Sequence, residues 1–208
     1  MTPQHIVVHY ELCYNILWCI CMRLIWLKGD YIGKHERQQV AMKAGCHFVV
    51  SFHFNSFSDP RASGAEIYHN GKGNAQTIAE KLLTVITSVL KNKARGVKDA
   101  KGSRAGFIRH YHCPAVLLEP CFVSNPDEAA LIHDVKTLRA LGEAIADVLR
   151  SWLPDDAVVG LDIGHKFKRS NSDDRGAKCV LGDFEADHAE RLAKVVAASL
   201  TQRKVKTK

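Results

Sequence analysis

The stretch from Cys113 to Ala130, CPAVLLEPCFVSNPDEAA, decides the fold class. Its first half is an apolar run that reads as a buried strand, interrupted by one carboxylate, Glu119. Its second half is a helix start, with Ser124 or Asn125 as cap, Pro126 in the first turn, and Asp127 and Glu128 where the helix dipole favours acids. A buried strand running into a capped helix is the repeating unit of an α/β sheet. An ionised group in such a strand is costly unless a metal, a partner or a solvent cleft compensates it, which makes Glu119 the first candidate functional residue.

Working outward, the same alternation continues on both sides. Upstream, KHERQQVAMKAG at 34–45 suits a helix ended by Gly45, HFVVSFHF from His47 to Phe54 suits a buried strand, and AEIYH after the turn-rich NSFSDPRASG suits a short one. Asn74 to Lys93 carries Ile78, Leu82, Val85, Ile86 and Val89 at helical spacing. Arg95 to Gly106 is basic and glycine-bearing, and reads as an exposed loop. Downstream, a helix is expected from Val135 to Trp152, an acidic break at LPDDA, a strand and turn at VVGLDIGH, a polar loop from Lys166 to Asp174, and an amphipathic helix from Glu185 to Leu200. RKVKTK then closes the chain as a basic strand or tail. The expected fold class is α/β, a single domain with a mostly parallel twisted sheet flanked by helices.

Composition agrees. The chain has 208 residues, 46% hydrophobic and 25% charged, as in an ordinary globular domain large enough to build a core without staples. Lys and Arg number 29 against 22 Asp and Glu, a net charge of +7 that favours polyanionic surroundings without choosing among them. No nucleic-acid motif accompanies that charge, so a nucleic-acid partner is not expected. Seven cysteines, an odd count with no CxxC pair, argue for reduced thiols rather than a disulfide framework or a thiolate zinc ribbon. The apolar segment from Leu12 to Leu27 is shorter than the ~20 residues of a spanning helix and contains Asn15 and Arg23, so stable membrane insertion is not expected. No basic region precedes it and no small-residue cleavage site follows, so it does not read as a signal peptide.

Three ionisable residues stand at strand ends, where open α/β sheets place their ligands: His53, Glu119 and His165. Glu185 opens the last helix. Two histidines, one carboxylate and an open position make a hydrolytic zinc site, with a second carboxylate left to act on water. Each member has a plainer reading, a hydrogen-bonded structural histidine or a first-turn acid. His5, His9, His35, His47, His69, His110, His112, His133 and His188 are competitors expected mostly at the surface.

At these residues the sequence resembles the zinc-dependent N-acetylmuramoyl-L-alanine amidases of the Amidase_3 type. CPAVLLEPCFVSNPDEAA resembles that family's catalytic strand and following helix, VVSFHFNS at Val49 to Ser56 its segment bearing a zinc histidine, and GAEIYH at Gly64 to His69 the next strand. RGVKDA at Arg95 to Ala100 resembles its arginine-glycine loop, and LDIGHKF at Leu161 to Phe167 its opening DPGHGG motif. The resemblance covers residues 28 to 200 apart from the joining loop. It implies an amidase fold of the phosphorylase/hydrolase-like type, with one Zn²⁺ per chain held by His53, His165 and Glu185 and with Glu119 as general base. It also implies Asn55, Arg95 and Arg109 as substrate contacts, with Arg104 in the same basic stretch.

The order of the motifs departs from the family's, because His165 and Glu185 follow Glu119 instead of preceding it. The chain reads as circularly permuted: residues 28–152 hold the family's C-terminal part, 153–157 the joining loop and 158–208 its N-terminal part, with 1–27 unassigned. A second departure puts Lys166 and Phe167 where the family has a glycine pair after the histidine. The resemblance implies a monomeric peptidoglycan hydrolase of the endolysin or autolysin kind, made in the cytoplasm and reaching the wall on phage or prophage lysis. It would cut the amide between the lactyl group of N-acetylmuramic acid and L-alanine. The rival expectation is an inactive rearranged remnant that at most binds the wall.

Overall fold

In the computed structural model, residues 22–27, 34–166 and 174–201 are described. Six strands form one mixed sheet in the order β1-β6-β2-β5-β3-β4: β1 (Arg23–Trp26), β2 (Phe48–Phe52), β3 (Ala65–His69), β4 (Ala94–Asp99), β5 (Ala115–Glu119) and β6 (Val158–Ile163). All neighbouring pairs are parallel except β3 with β5, which run antiparallel and set Glu66 opposite Glu119. The central strands β2 and β6, FVVSF and VVGLDI, are buried at every position. Such continuous burial is what a parallel sheet covered on both faces demands, and it explains why these segments do not alternate apolar with polar.

The period of two along each strand divides the core. Phe48, Val50, Phe52, Ile67, Leu118 and Leu161 pack on one face under α2 (Ala75–Leu90), α4 (Val135–Trp152) and α5 (Glu185–Thr201). Val49, Leu117 and Ala115 point to the other face, under α1 (Lys34–Lys43) and the 3₁₀ turn Arg104–His110. Helix α3 (Pro126–His133) begins as the sequence predicts. Its cap is Asn125, whose Oδ1 accepts from the backbone N–H groups of Asp127 at 3.0 Å and Glu128 at 3.1 Å, while Ser124 Oγ accepts from Phe57 N–H.

One segment departs from its sequence reading, and one left unassigned gains a place in the sheet. Arg95 to Gly106, expected as an exposed loop, is edge strand β4 followed by the 3₁₀ turn. An edge strand pairs on one side only, and β4 keeps Arg95 and Asp99 exposed at its free side, so its charge pattern imitates a loop. The apolar N-terminal segment ends in β1, which joins the sheet in register with β6 from Arg23 opposite Val158 to Trp26 opposite Leu161. Leu24, Ile25 and Leu27 are fully buried there. The rest of Leu12 to Leu27, the GDYIG stretch, Phe167 with most of the polar loop, and the RKVKTK tail lie outside the described residues. Among the described residues, no helix is long and apolar enough to cross a membrane, and Cys46, Cys113, Cys121 and Cys179 are buried free thiols.

Candidate functional site

The carboxyl ends of β2, β5 and β6 open into a cavity of about 850 Å³ that also receives the start of α5. His53 follows β2, Glu119 ends β5, His165 follows β6 and Glu185 is the first residue of α5, and all four line this cavity. One ligand atom from each of His53, His165 and Glu185 lies within 4.8 Å of the other two. His53 Nδ1 stands 2.9 Å and His165 Nε2 3.3 Å from the same carboxylate oxygen, Glu185 Oε1. Burial works against charge on Glu185, but the hydrogen bonds from His165 and His53 outweigh it and hold the carboxyl well below the usual range. Two histidines and one ionised carboxylate converging in a cleft are a donor set suited to Zn²⁺.

The shell around these groups fixes their aim. His165 Nδ1 lies 3.4 Å from Asp174 Oδ1, the outer-carboxylate arrangement that orients a metal-binding imidazole. Glu185 also accepts from the backbone N–H of Phe54 and of Ala177. Beneath the site, buried Arg37 donates to Asp162 and to the carbonyls of Ile163 and Lys166, bracketing His165 on both sides. Asp162 in turn accepts from Ser51 Oγ at 2.9 Å and Tyr111 OH at 3.3 Å. His165 sits at φ +55°, a strained setting for a side-chain-bearing residue that this bracket sustains.

Glycines still make close approaches here, although not as the pair after the histidine. A Cβ on Gly164 would lie 2.4 Å from the His53 ring, and one on Gly176, at φ +78°, would lie 2.6 Å from Glu185 Oε2. Both positions therefore let backbone run against the converging side chains.

Glu119 is the neighbour of this cluster with a different character. Its Oε2 is buried with no hydrogen-bond partner among the described residues, a rare condition that marks a candidate functional atom. Burial first, then the charges of Glu185 and Glu66, push its carboxyl well above the ordinary 4.5.

Asn55 lines the cavity and donates from Nδ2 to Glu66 Oε1 at 3.1 Å. Arg95 does not line it: its Nε donates to Glu66 Oε2 at 2.9 Å. Arg109 lies farther out, 3.9 Å from Asp99. Among the basic residues, Lys34, Arg37 and Arg104 reach the lining instead. Glu66, which sequence reasoning passed over, gathers Asn55, Tyr68, Arg95 and Lys98 on one carboxylate. Its signal was a lone acid in the short apolar strand AEIYH, the same signal that singled out Glu119. His188, grouped with the surface histidines by its place on an amphipathic helix, is fully buried.

The sequence profile of N-acetylmuramoyl-L-alanine amidases, Amidase_3, matches residues 26–151, more than half of the chain. The chain belongs to the Amidase_3 family. It is 28% identical over 106 residues to a probable cell wall amidase, LytH, of Staphylococcus saprophyticus, covering 51% of this chain and 35% of that protein. It is 29% identical over 116 residues to an endolysin of Bacillus phage SPP1, covering 54% and 42%. This amidase-family chain thus spans less than half the length of those relatives. Among solved structures it resembles the catalytic domain of CwlV, an N-acetylmuramoyl-L-alanine amidase of Paenibacillus polymyxa, with a TM-score of 0.51 and 26% identity over 58% of this chain and 65% of that one. An N-acetylmuramoyl-L-alanine amidase of Clostridium difficile gives a TM-score of 0.53 and 26% identity over 59% and 66%. The family match ends before β6 and α5, so His53 and Glu119 fall within it, and His165 and Glu185 fall outside.

Proposed function

We propose that this chain is a zinc-dependent N-acetylmuramoyl-L-alanine amidase that hydrolyses the amide between the lactyl group of N-acetylmuramic acid and L-alanine in peptidoglycan. The observation that carries the reading is the convergence of His53, His165 and Glu185 beside Glu119, with His53 more than a hundred residues from His165 and Glu185 in sequence. When bound to these three residues, Zn²⁺ supplies a Lewis acid for the scissile carbonyl and lowers the pKa of a water toward ~7. Glu119, on the same cavity wall, would accept a proton from the attacking water and return it to the departing amine, a role worth about 10²- to 10⁴-fold in rate. Asp174 holds the His165 ring, and Asn55 and Arg104 on the cavity wall face the peptide and glycan.

A circularly permuted order is part of this reading. It is supported by β6, late in the chain, running between β1 and β2, and by a family match that stops at residue 151. Strand β1, at Arg23–Trp26, then stands ahead of the permuted catalytic domain and occupies the edge beside β6.

The test is elemental analysis of the purified chain together with release of L-alanine-terminated peptides from purified peptidoglycan. His53→Ala and His165→Ala are each expected to lose the zinc held there, and Glu119→Gln to keep zinc but lose lysis. A folded protein that neither holds zinc at His53 nor cleaves peptidoglycan would be a remnant rather than an amidase.

A further inference from the structure

A second cluster of metal-ligating side chains lies around the first turn of α5 and the turn before it. His133 closes α3, Cys179 and Asp183 flank a tight turn, and His188 sits on α5 three residues beyond Glu185. The turn is closed by backbone bonds from Cys179 N–H to Asp183 at 2.8 Å and from Gly182 N–H to Cys179 at 3.0 Å. One donor atom from each of the four residues falls within 4.8 Å of the others. Asp183 Oδ1 stands 2.9 Å from His188 Nε2 and 3.2 Å from His133 Nε2, and Cys179 Sγ stands 3.9 Å from His133 Nε2.

From these residues we infer that the chain holds a second, structural divalent metal ion of the zinc class, bound by His133, Cys179, Asp183 and His188. In tetrahedral Zn²⁺ coordination with Zn–S of ~2.3 Å and Zn–N or Zn–O of ~2.0–2.1 Å, the ligand atoms stand roughly 3.3–3.6 Å apart. The spacings of 2.9, 3.2 and 3.9 Å bracket that range, and the remaining pairs lie within 4.8 Å, so the four side chains can draw together on one ion. One thiolate, one carboxylate and two imidazoles give a neutral site with Zn²⁺, and the sulfur excludes hard cations such as Mg²⁺ or Ca²⁺. His188 is fully buried and Cys179 is 2% exposed. Four protein ligands, two buried and two partly buried, leave no open position for a substrate, as in structural rather than catalytic sites.

Arg191 is compatible with this and defines the one rearrangement required. Its guanidinium donates to Asp183 Oδ2, leaving Oδ1 turned toward the imidazoles, and also to His188 Nδ1 at 3.0 Å. With Nε2 given to a metal, Nδ1 carries the ring proton, so this second contact gives way while the bond to Asp183 stays. The arginine side chain is 39% exposed and free to make that move. The ion would tie the Cys179–Asp183 turn and the start of α5 to α3, and so hold in place the helix turn that presents Glu185. This inference stands on its own residues, independently of the amidase reading.

The test uses the full chain loaded with Co²⁺ in place of zinc. Of the two clusters among the described residues, the second alone contains a cysteine, so sulfur-to-cobalt charge-transfer absorption in the near ultraviolet that Cys179→Ala abolishes reports on it. The expected result is about two metal ions per chain, with the thiolate band kept in His53→Ala and lost, with one equivalent of metal, in Cys179→Ala. His133→Gln, at a half-exposed position where substitution spares the core, is expected to lose the same equivalent while the far-ultraviolet dichroism stays native. Absence of a thiolate band in the folded wild-type chain would overturn the proposal and leave the cluster as a hydrogen-bonded network. A single ion with the band, unaffected by His53→Ala, would support this site and count against the catalytic one.

Discussion

Gly142 on α4 and Val195 on α5 meet so closely that a Cβ on Gly142 would stand 2.4 Å from Val195 Cγ1 and 3.3 Å from the backbone N of Val196. This contact joins the part of the chain before the LPDDA loop to the part after it, and those two parts together supply the cluster of His53, His165 and Glu185. Alanine in a helix interior gains about 1 kcal/mol over glycine. Overpacking a tight crossing costs about 1–3 kcal/mol, and here a backbone atom cannot turn aside as a side chain can. Gly142→Ala is therefore expected to lower stability by about 1 kcal/mol net, read as a lower urea midpoint at unchanged slope. A raised midpoint would mean that the two helices separate freely.

Glu119 carries the opposite balance. Its Oε2 is buried without a partner among the described residues, and its β-sheet neighbour across the ladder is another carboxylate, Glu66. A carboxyl whose folded pKa is raised withdraws stability as pH rises above the ordinary carboxyl range. Glu119→Gln removes that charge at nearly constant shape. The variant is expected to be more stable at neutral pH by about 1–2 kcal/mol, the trade seen when an active-site group is neutralised, and to be inactive on peptidoglycan. Its gain over wild type should shrink as pH is lowered toward about 4. Thermal melts at several pH values check both signs, and an unchanged or lower melting temperature at neutral pH would show that Glu119 is not held against its preference.

Glu66 behaves in the conventional sense. Burial raises its proton affinity, but Lys98, Arg95 and Tyr68 together bring the carboxyl below its ordinary 4.5. A group depressed on folding contributes stability that is present above the unfolded pKa and lost as pH falls through the folded one. The wild type is thus expected to lose stability below about pH 4.5 more steeply than Glu66→Gln does. Urea midpoints of both proteins across the acid range measure the difference, and parallel curves would remove Glu66 from the acid limb.

Much of this architecture was legible because burial and chemistry leave marks on local sequence. The strand at Cys113 to Val123 and the helix after Asn125 were readable because an apolar run and a cap sit side by side. His53, Glu119, His165 and Glu185 stood out as charges at the ends of apolar strands or at a helix start, and the fold brings all four to one cavity. What stayed hidden depends on contacts distant in sequence. Strand β4 has too few apolar residues to announce itself, since only its pairing with β3 makes it a strand. Arg95 is drawn to Glu66 by a cross-strand ion pair, and Arg37, on a helix with no clear apolar face, finds its buried partner Asp162 far along the chain. The buried cluster at His133 and His188 escaped for the same reason: its members lie on three separate pieces of backbone.

Gly164 provides the sharpest test of how closely the first cluster is held. Its backbone passes the His53 ring so tightly that a Cβ would lie 2.4 Å from Cε1 and 2.5 Å from Nδ1, and its N–H is anchored to Phe52 O at 2.9 Å. The backbone therefore cannot retreat, and Gly164→Ala must turn the imidazole away from Glu185. Displaced orientation at a metal ligand costs about 10- to 100-fold in affinity or activity. Zinc affinity measured by competition with a chelator is expected to fall by that factor, with far-ultraviolet dichroism unchanged. Gly106→Ala serves as the control, because a Cβ there meets only Ala100 O at 3.4 Å, an ordinary contact. If Gly164→Ala bound zinc as tightly as Gly106→Ala, the His53 ring would have to reach the metal by another path, and the packing against β6 would not be what aims it.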